Sequence, residues 1–403
     1  MKQHLSEIQI QRAFRATAGC FFVIGLLLPT LFAQFPLMEA RFGLSENEIA
    51  FFIIIMALGA VPSMIISGLV IGQAGSRNVA LIAMPLVLLM PPLFAAAWSY
   101  PVFLTIGFVL GLTSGFWDVA ANAHGSLLER ITNRLFMTSI HALFALGVLV
   151  GSSLATLAHQ FEVDLVLFFT CLSLASALLY FFILRDFLPP ALERDQETAE
   201  KKSRGTRPPR LSLFLLGALC VLMMLGIEAE ASHYDWLTLY FTKHLGAEGA
   251  RLDEKWSNLA MVFFSSGLFI ARVFGDRIGA RIGRPRLLLW GTLIGVGGLI
   301  GLILTHSYTL ALCAAFLIGF GFAFFFPIFI AAAGRLRGVR SSFAVSLVAA
   351  MGWTSIFIGP PLIGFLADYF DSLRIAYWSI VPVAVTVAVF GPWVVFKSRP
   401  GNH

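Results

Sequence analysis

Apolar runs recur along the chain at lengths near the ~20 residues that an α-helix needs to cross a bilayer, and short polar turns separate them. Most runs are apolar all round rather than along one stripe, which is the pattern of helices surrounded by lipid or by protein, not by water. They predict helices at roughly 13–38, 46–72, 78–98, 101–126, 136–158, 164–185, 211–240, 255–275, 286–305, 308–333, 342–367 and 375–396. The chain therefore reads as an all-α membrane protein with twelve spans. One segment breaks the pattern: "RDFLPPALERDQETAEKKSRGTRPPR", Arg185 to Arg210, is polar, charged and Pro-containing. It reads as a linker, dividing the chain into a six-helix half at 1–185, a linker at 186–210 and a second half at 211–403.

Composition agrees with this pattern: 58% of the residues are hydrophobic and only 12% are charged. The net charge of +6 raises the question of a nucleic-acid partner, but the basic residues alternate with the spans instead of forming one patch. Of the 28 Lys and Arg, only Arg41, Lys243, Arg251, Lys255 and Arg374 fall in alternate loops on one side. By the positive-inside rule that side is the outer one, and both termini are cytoplasmic. The basic N-terminal stretch "MKQHLSEIQIQRAFR" precedes an apolar run that is too long for a leader and has no small-residue cleavage site, so no removable signal peptide is predicted. Cys20, Cys171, Cys220 and Cys313 each fall inside a span without paired spacing, which indicates neither a disulfide framework nor a zinc site.

The two halves repeat. "QAGSRNVAL" with Gly75 corresponds to "RIGRPRLLL" with Gly283, and "IGFVLG" at Ile106 to "IGFGFA" at Ile318. Gly151 and Gly359 keep the same spacing. Twelve spans in two related, pseudo-symmetric halves are the layout of a secondary transporter. On these motifs the whole chain resembles the major facilitator superfamily, with one departure at Gly72, where the family's loop motif usually carries an Asp. "DVAANA" and "FFFPIFIAAAG" are similar to segments of fucose–proton symporters. "HALFALG" and "EASHYDW" resemble the bacterial branch typified by rhizopine-type transporters, which implies a bacterial inner membrane. That branch has an arginine where this chain has Gln34, and Glu228 is an extra acid.

Charge inside the membrane is where chemistry is expected. A carboxylate at the bilayer centre costs ~2.5–3.5 kcal/mol on insertion scales and persists where it faces a cavity or a partner. Ser114, Asp118 and Asn122 are spaced at four on one helical stripe with Gly111. The hairpin that follows places His141 at a depth similar to that of Asp118, predicting a proton-sensitive pair; hydrogen bonding to neighbouring helices is the structural alternative. Glu228, Glu230 and Asp235 form a second acidic group beyond the middle of the seventh span, with His233 beside Glu230 as a gate or substrate contact. Asp235 beside Trp236 also reads as an interfacial anchor. The resemblance places Gln34, Asn258, Trp353 and the "FFFP" run, with Phe326, around the cavity, where rings would suit the apolar face of a sugar or cyclitol. Arg272 is expected to snorkel or to pair with Asp276 at i,i+4.

Enzymatic readings find no footing, since the chain has no phosphate-cradling glycine loop, no metal-binding HExxH and no nucleophile elbow. The expectation is a proton-coupled importer of a small polar metabolite. It would act as a monomer in the lipid bilayer, with Asp118, His141, Glu230 and Glu228 handling protons and Gln34, Asn122, Asp235, Trp353 and Phe326 handling substrate. It would need no cofactor, metal or nucleic acid. A proton-antiport exporter and a non-transporting membrane sensor are the competing readings. Reporter fusions after Arg210 and at His403 are expected to read cytoplasmic and one near Gly246 external; a cytoplasmic reading at Gly246 removes the twelve-span topology.

Overall fold

The computed structural model describes residues 5–32, 34–44, 46–194, 208–245, 257 and 259–398. Gly246, Asn258 and residues 195–207 lie outside the described residues. The described chain is helical: α1 (Glu7–Phe32), α2 (Phe35–Phe42), α3 (Glu46–Ala74), α4 (Ser76–Ala95), α5 (Tyr100–Thr132), α6 (Met137–Gln160) and α7 (Leu165–Leu184) are followed by α8 (Arg210–His244), α9 (Leu259–Ile282), α10 (Arg284–Leu304), α11 (Tyr308–Phe322), α12 (Phe325–Ala333), α13 (Ser341–Tyr369), α14 (Leu373–Tyr377) and α15 (Ile380–Lys397). Among the described residues, eleven helical segments are long and apolar enough to cross a membrane. The remaining expected span, 342–367, coincides with the 29 residues of α13.

Capping chemistry sets many of the helix ends. Asp164 accepts the Leu167 N–H at 2.9 Å to start α7, Pro opens α5 at its first turn after Ser99, and Asn133 in the left-handed conformation (φ 54°) closes it. The spans differ from their expected outlines in three ways. α5 continues to Thr132 and α8 to His244, because the polar residues at those ends are compatible with helix and make bonds there. The first span stops after α1 and restarts as α2, and the tenth is interrupted at Ala323–Phe324 between α11 and α12. Hydropathy, which measures only how apolar a stretch is, does not register these breaks.

Two compact units emerge. The first comprises Met1–Pro208 with Gly338–Ala350, and the second Pro209–Arg337 with Met351–His403. In the first unit α3 packs on α5, α1 on α6, and α4 on both α5 and α7; in the second α9 packs on α11, and α10 on both α11 and α15. Glycines bring these helices together, and their positions repeat. A Cβ added at Gly59 would run into the carbonyl of Phe108, and one at Gly267, 208 residues on, into the carbonyl of Phe316. Likewise Gly111 lies against the Met56 carbonyl and Gly319 against that of Phe264, again 208 residues apart. Small residues allow such backbone-to-backbone approach, which is what drives helix association where lipid is as apolar as leucine. The loop glycines repeat as well: Gly75 (φ 85°, ψ 150°) and Gly283 (φ 85°, ψ 146°) share a left-handed geometry immediately before α4 and α10.

Residues 187–194, expected to open the linker, pack onto the first unit. Glu193 accepts the Ser76 N–H at 2.6 Å, capping α4 from a distance, and Pro190 covers Gly75. Leu188 joins an apolar cluster with Ala13, Leu127 and Leu128.

Gly111→Leu and Gly319→Leu are expected to destabilise the protein by comparable amounts, about 1–3 kcal/mol each from overpacking. Gly297→Leu, at a glycine with nothing within 4 Å, is the control that is expected to change little. Thermal unfolding of purified protein in detergent checks all three.

Candidate functional site

The expected site residues divide between the two units. Gln34, Asp118, Asn122 and His141 lie in the first; Glu228, Glu230, Asp235, Phe326 and Trp353 lie in the second.

In the first unit, α5 carries the polar stripe. Ser114 turns its hydroxyl to the Leu110 carbonyl at 2.6 Å and so is satisfied within its own helix. Gly111, expected to contribute to a small, polar cavity face, is instead pressed on the α3 backbone. One turn deeper, Asp118 is 8% exposed, and its Oδ2 has no hydrogen-bond partner among the described residues. Asn122 is fully buried and donates from Nδ2 to the Asp118 carbonyl at 2.9 Å. His141 Nε2 meets Asn122 Oδ1 at 3.3 Å, and the ring lies 4.4 Å from that of Phe21. The printed contacts thus run from His141 to Asn122 and from Asn122 to the Asp118 backbone, with Asn122 intervening in the expected pair. Gln34 sits in the break between α1 and α2 and donates to the Thr30 carbonyl at 3.3 Å, using its amide on backbone that the helix has stopped serving.

His124, which the sequence pattern did not single out, is the most completely bonded polar group of this unit. The Leu188 N–H donates to Nε2 at 2.9 Å, and a backbone N–H can only donate. Nδ1 therefore carries the ring proton and donates to Thr17 Oγ1 at 2.7 Å, which in turn donates to the Ala13 carbonyl at 2.8 Å. Phe187 stacks on the ring with centroids 4.2 Å apart. Its proximity to Asp118 in sequence suggests a shared site, but its bonds tie α1, α5 and the segment after α7 together.

The second unit pairs its charges. Glu230 (6% exposed) and Arg272 (4% exposed) form an ion pair of 2.9 Å, and Arg272 Nε also donates to the Ala323 carbonyl at 3.1 Å. The expected snorkelling of Arg272, or its pairing with Asp276, gives way to these bonds because α8 and the α11–α12 break both come within its reach; Asp276 has interactions of its own. Glu230 Oε2 has no hydrogen-bond partner among the described residues. His233 is fully buried between Phe264, Phe322 and Tyr377, with ring centroids at 5.5, 6.0 and 5.7 Å. The backbone carbonyls of Ala229 and Glu230 lie beside it, and it makes no bond to the Glu230 side chain.

Glu228 is half-buried. Its Oε1 accepts the Ser232 hydroxyl at 2.9 Å, and its carboxylate fills the space in front of Gly359. The equivalent place in the first unit holds Thr30 in front of Gly151, so the extra acid replaces a hydroxyl at a repeated helix crossing. Phe326 on α12 and Trp353 on α13 are both half-buried. Asp235 is on α8, and its side chain lies outside the described residues. No signal within a single helix reveals the Glu230–Arg272 pair, since its members are 42 residues apart.

Known proteins bear on this arrangement. The sequence matches the model of the Major Facilitator Superfamily over residues 17–336 and 252–403. It is 27% identical to an uncharacterized MFS-type transporter of Yersinia pestis over 377 residues, 93% of each chain. It is 25% identical to the membrane protein MosC of Rhizobium meliloti, covering 93% of this chain and 88% of that one. Among solved structures it is similar to the proton:xylose symporter XylE (TM-score 0.75, 14% identity, 98% of each chain). It is also similar to the transporter FucP in its outward conformation (TM-score 0.71, 14% identity, 94% of this chain and 98% of that one). His124→Leu is expected to leave the Leu188 N–H unsatisfied at a cost of about 1–3 kcal/mol. The measurements are a lower melting temperature and faster tryptic cleavage within 186–210.

Proposed function

Because the chain belongs to the Major Facilitator Superfamily, and is a multi-pass membrane transporter rather than an enzyme, we propose that it couples proton movement to the import of a small polar metabolite of sugar or cyclitol type. The observation that carries this reading is the Asp118 carboxylate, buried in a membrane helix with Oδ2 unpartnered among the described residues. A carboxylate left in that state is costly, and one inside a membrane is by default functional. Alternating access exposes such a group to wet and dry surroundings in turn, and that alternation lets it load and release a proton. His141 reaches the same stripe through Asn122 and tunes it; Glu230 and Glu228 form the second proton-responsive group.

On the substrate side, Gln34 and Asn122 offer amide donors and acceptors. Trp353 and Phe326 offer rings to the apolar face of a polyol, and Asp235 offers a further acceptor. The sugar class accords with the names of XylE and of the Escherichia coli fucose:proton symporter FucP, which share the fold. The absence of arginine at Gln34 favours a substrate less anionic than that of relatives with a cation there. The transporter works as a monomer in the bacterial inner membrane, with both termini cytoplasmic.

Asp118→Asn is expected to abolish uphill transport while leaving substrate binding or downhill counterflow measurable, because the amide keeps the shape and hydrogen bonding but cannot cycle a charge. His141→Ala is expected to shift the pH dependence of transport without abolishing it. The deciding measurement is substrate-driven proton uptake into proteoliposomes, compared at equal amounts of folded protein. Intact proton movement in Asp118→Asn removes the residue from the mechanism.

A further inference from the structure

Pro327 is the third residue of α12, and it has no N–H. In an uninterrupted helix that N–H would bond to the carbonyl four residues back, which belongs to Ala323. The helix is interrupted at this point, with Ala323 and Phe324 in turn conformation between α11 and α12. Ala323 is 0% exposed, so its freed carbonyl has no water to turn to. Arg272 supplies the missing donor: its Nε meets the Ala323 carbonyl at 3.1 Å. The other end of the same planar guanidinium is held by Glu230 at 2.9 Å. A single side chain from α9 thus joins a carboxylate on α8 to the break in the tenth span.

The internal repeat provides a control. At the 208-residue spacing that relates the glycine crossings, Arg272 corresponds to Met64 and Pro327 to Val119. The corresponding helix of the first unit, α5, runs unbroken for 33 residues. Neither the proline nor the arginine is present where there is no break, and both are present where there is one.

We propose that Arg272 is a positioning residue that links Glu230 to the proline break of the tenth span, so that the charge on Glu230 governs how firmly the break is held. When Glu230 loses its charge, or gives it to another partner, Arg272 is left as a buried cation without a counterion. It then moves toward water and withdraws from the Ala323 carbonyl. The break loosens, and Phe325 and Phe326 move with it. The groups that share this environment are His233 and Tyr234 on α8, with Asp276 one turn along from Arg272 on α9. This link goes beyond the coupling role proposed for Asp118, and its test needs no substrate.

Hydrogen exchange read by mass spectrometry on the full-length protein in detergent separates the alternatives. Glu230→Gln is expected to speed exchange of the segment 320–330 by about tenfold while segments of the first unit stay unchanged. Pro327→Ala restores an N–H to the Ala323 carbonyl and makes Arg272 dispensable there. In the double variant Glu230→Gln with Pro327→Ala, the response of 320–330 is expected to disappear. If Glu230→Gln does not fold, Glu230→Gln with Arg272→Met removes the buried cation too and must show the same fast segment. Three results overturn the link: wild-type protection of 320–330 without Glu230 and Arg272, an increase spread evenly over the second unit, or a response to Glu230→Gln that persists undiminished beside Pro327→Ala.

Discussion

A backbone carbonyl inside a bilayer must be bonded within the protein, and the rest of this structure depends on that requirement. It explains why the described spans are helices, in which each residue satisfies another four positions away. It also explains what happens where a helix stops. At the α1–α2 break the Gln34 amide takes up the Thr30 carbonyl. At the α11–α12 break the Arg272 guanidinium takes up that of Ala323. Serine and threonine hydroxyls elsewhere, such as Ser114 on Leu110 and Thr30 on Leu26, turn back onto their own helices for the same reason.

With hydrogen bonding confined inside each helix, contact between helices falls to close packing, and glycine sets how close. The crossings at Gly59 and Gly111 recur at Gly267 and Gly319 with the same backbone partners 208 residues on. The two units nevertheless treat charge differently. The first keeps one carboxylate, Asp118, beside an amide and an imidazole on an unbroken helix. The second neutralises Glu230 with Arg272 and places the pair on a broken helix. Similar frames therefore support a free acid in one unit and a compensated pair joined to a hinge in the other.

The position of the first helix in each unit shows that the repeat is not a rigid copy. Gly25 faces Phe144 and Gly151 faces Thr30 in the first unit, while Gly352 faces Met223 and Gly359 faces Glu228 in the second. The partners on α6 and α13 keep the 208-residue spacing; those on α1 and α8 are offset by 198. The polar segment after α7 lies between these helices in the chain, so the offset changes without disturbing the packing.

The sequence alone determined the all-α membrane class, twelve spans and their repeat, because run length and apolarity are local properties and the glycines recur at a fixed spacing. It marked Asp118, Asn122, His141 and the acids of α8, since charge within an apolar run is visible without knowing its neighbours. It also read Arg272 against Asp276, because helical periodicity relates only residues on the same helix. Tertiary structure decided that Arg272 bonds Glu230 and the carbonyl freed by Pro327, that Asn122 lies between His141 and the Asp118 backbone, and that His124 holds the segment after α7. Each of these depends on which helices lie side by side and at what height, and distance along the chain carries no record of that.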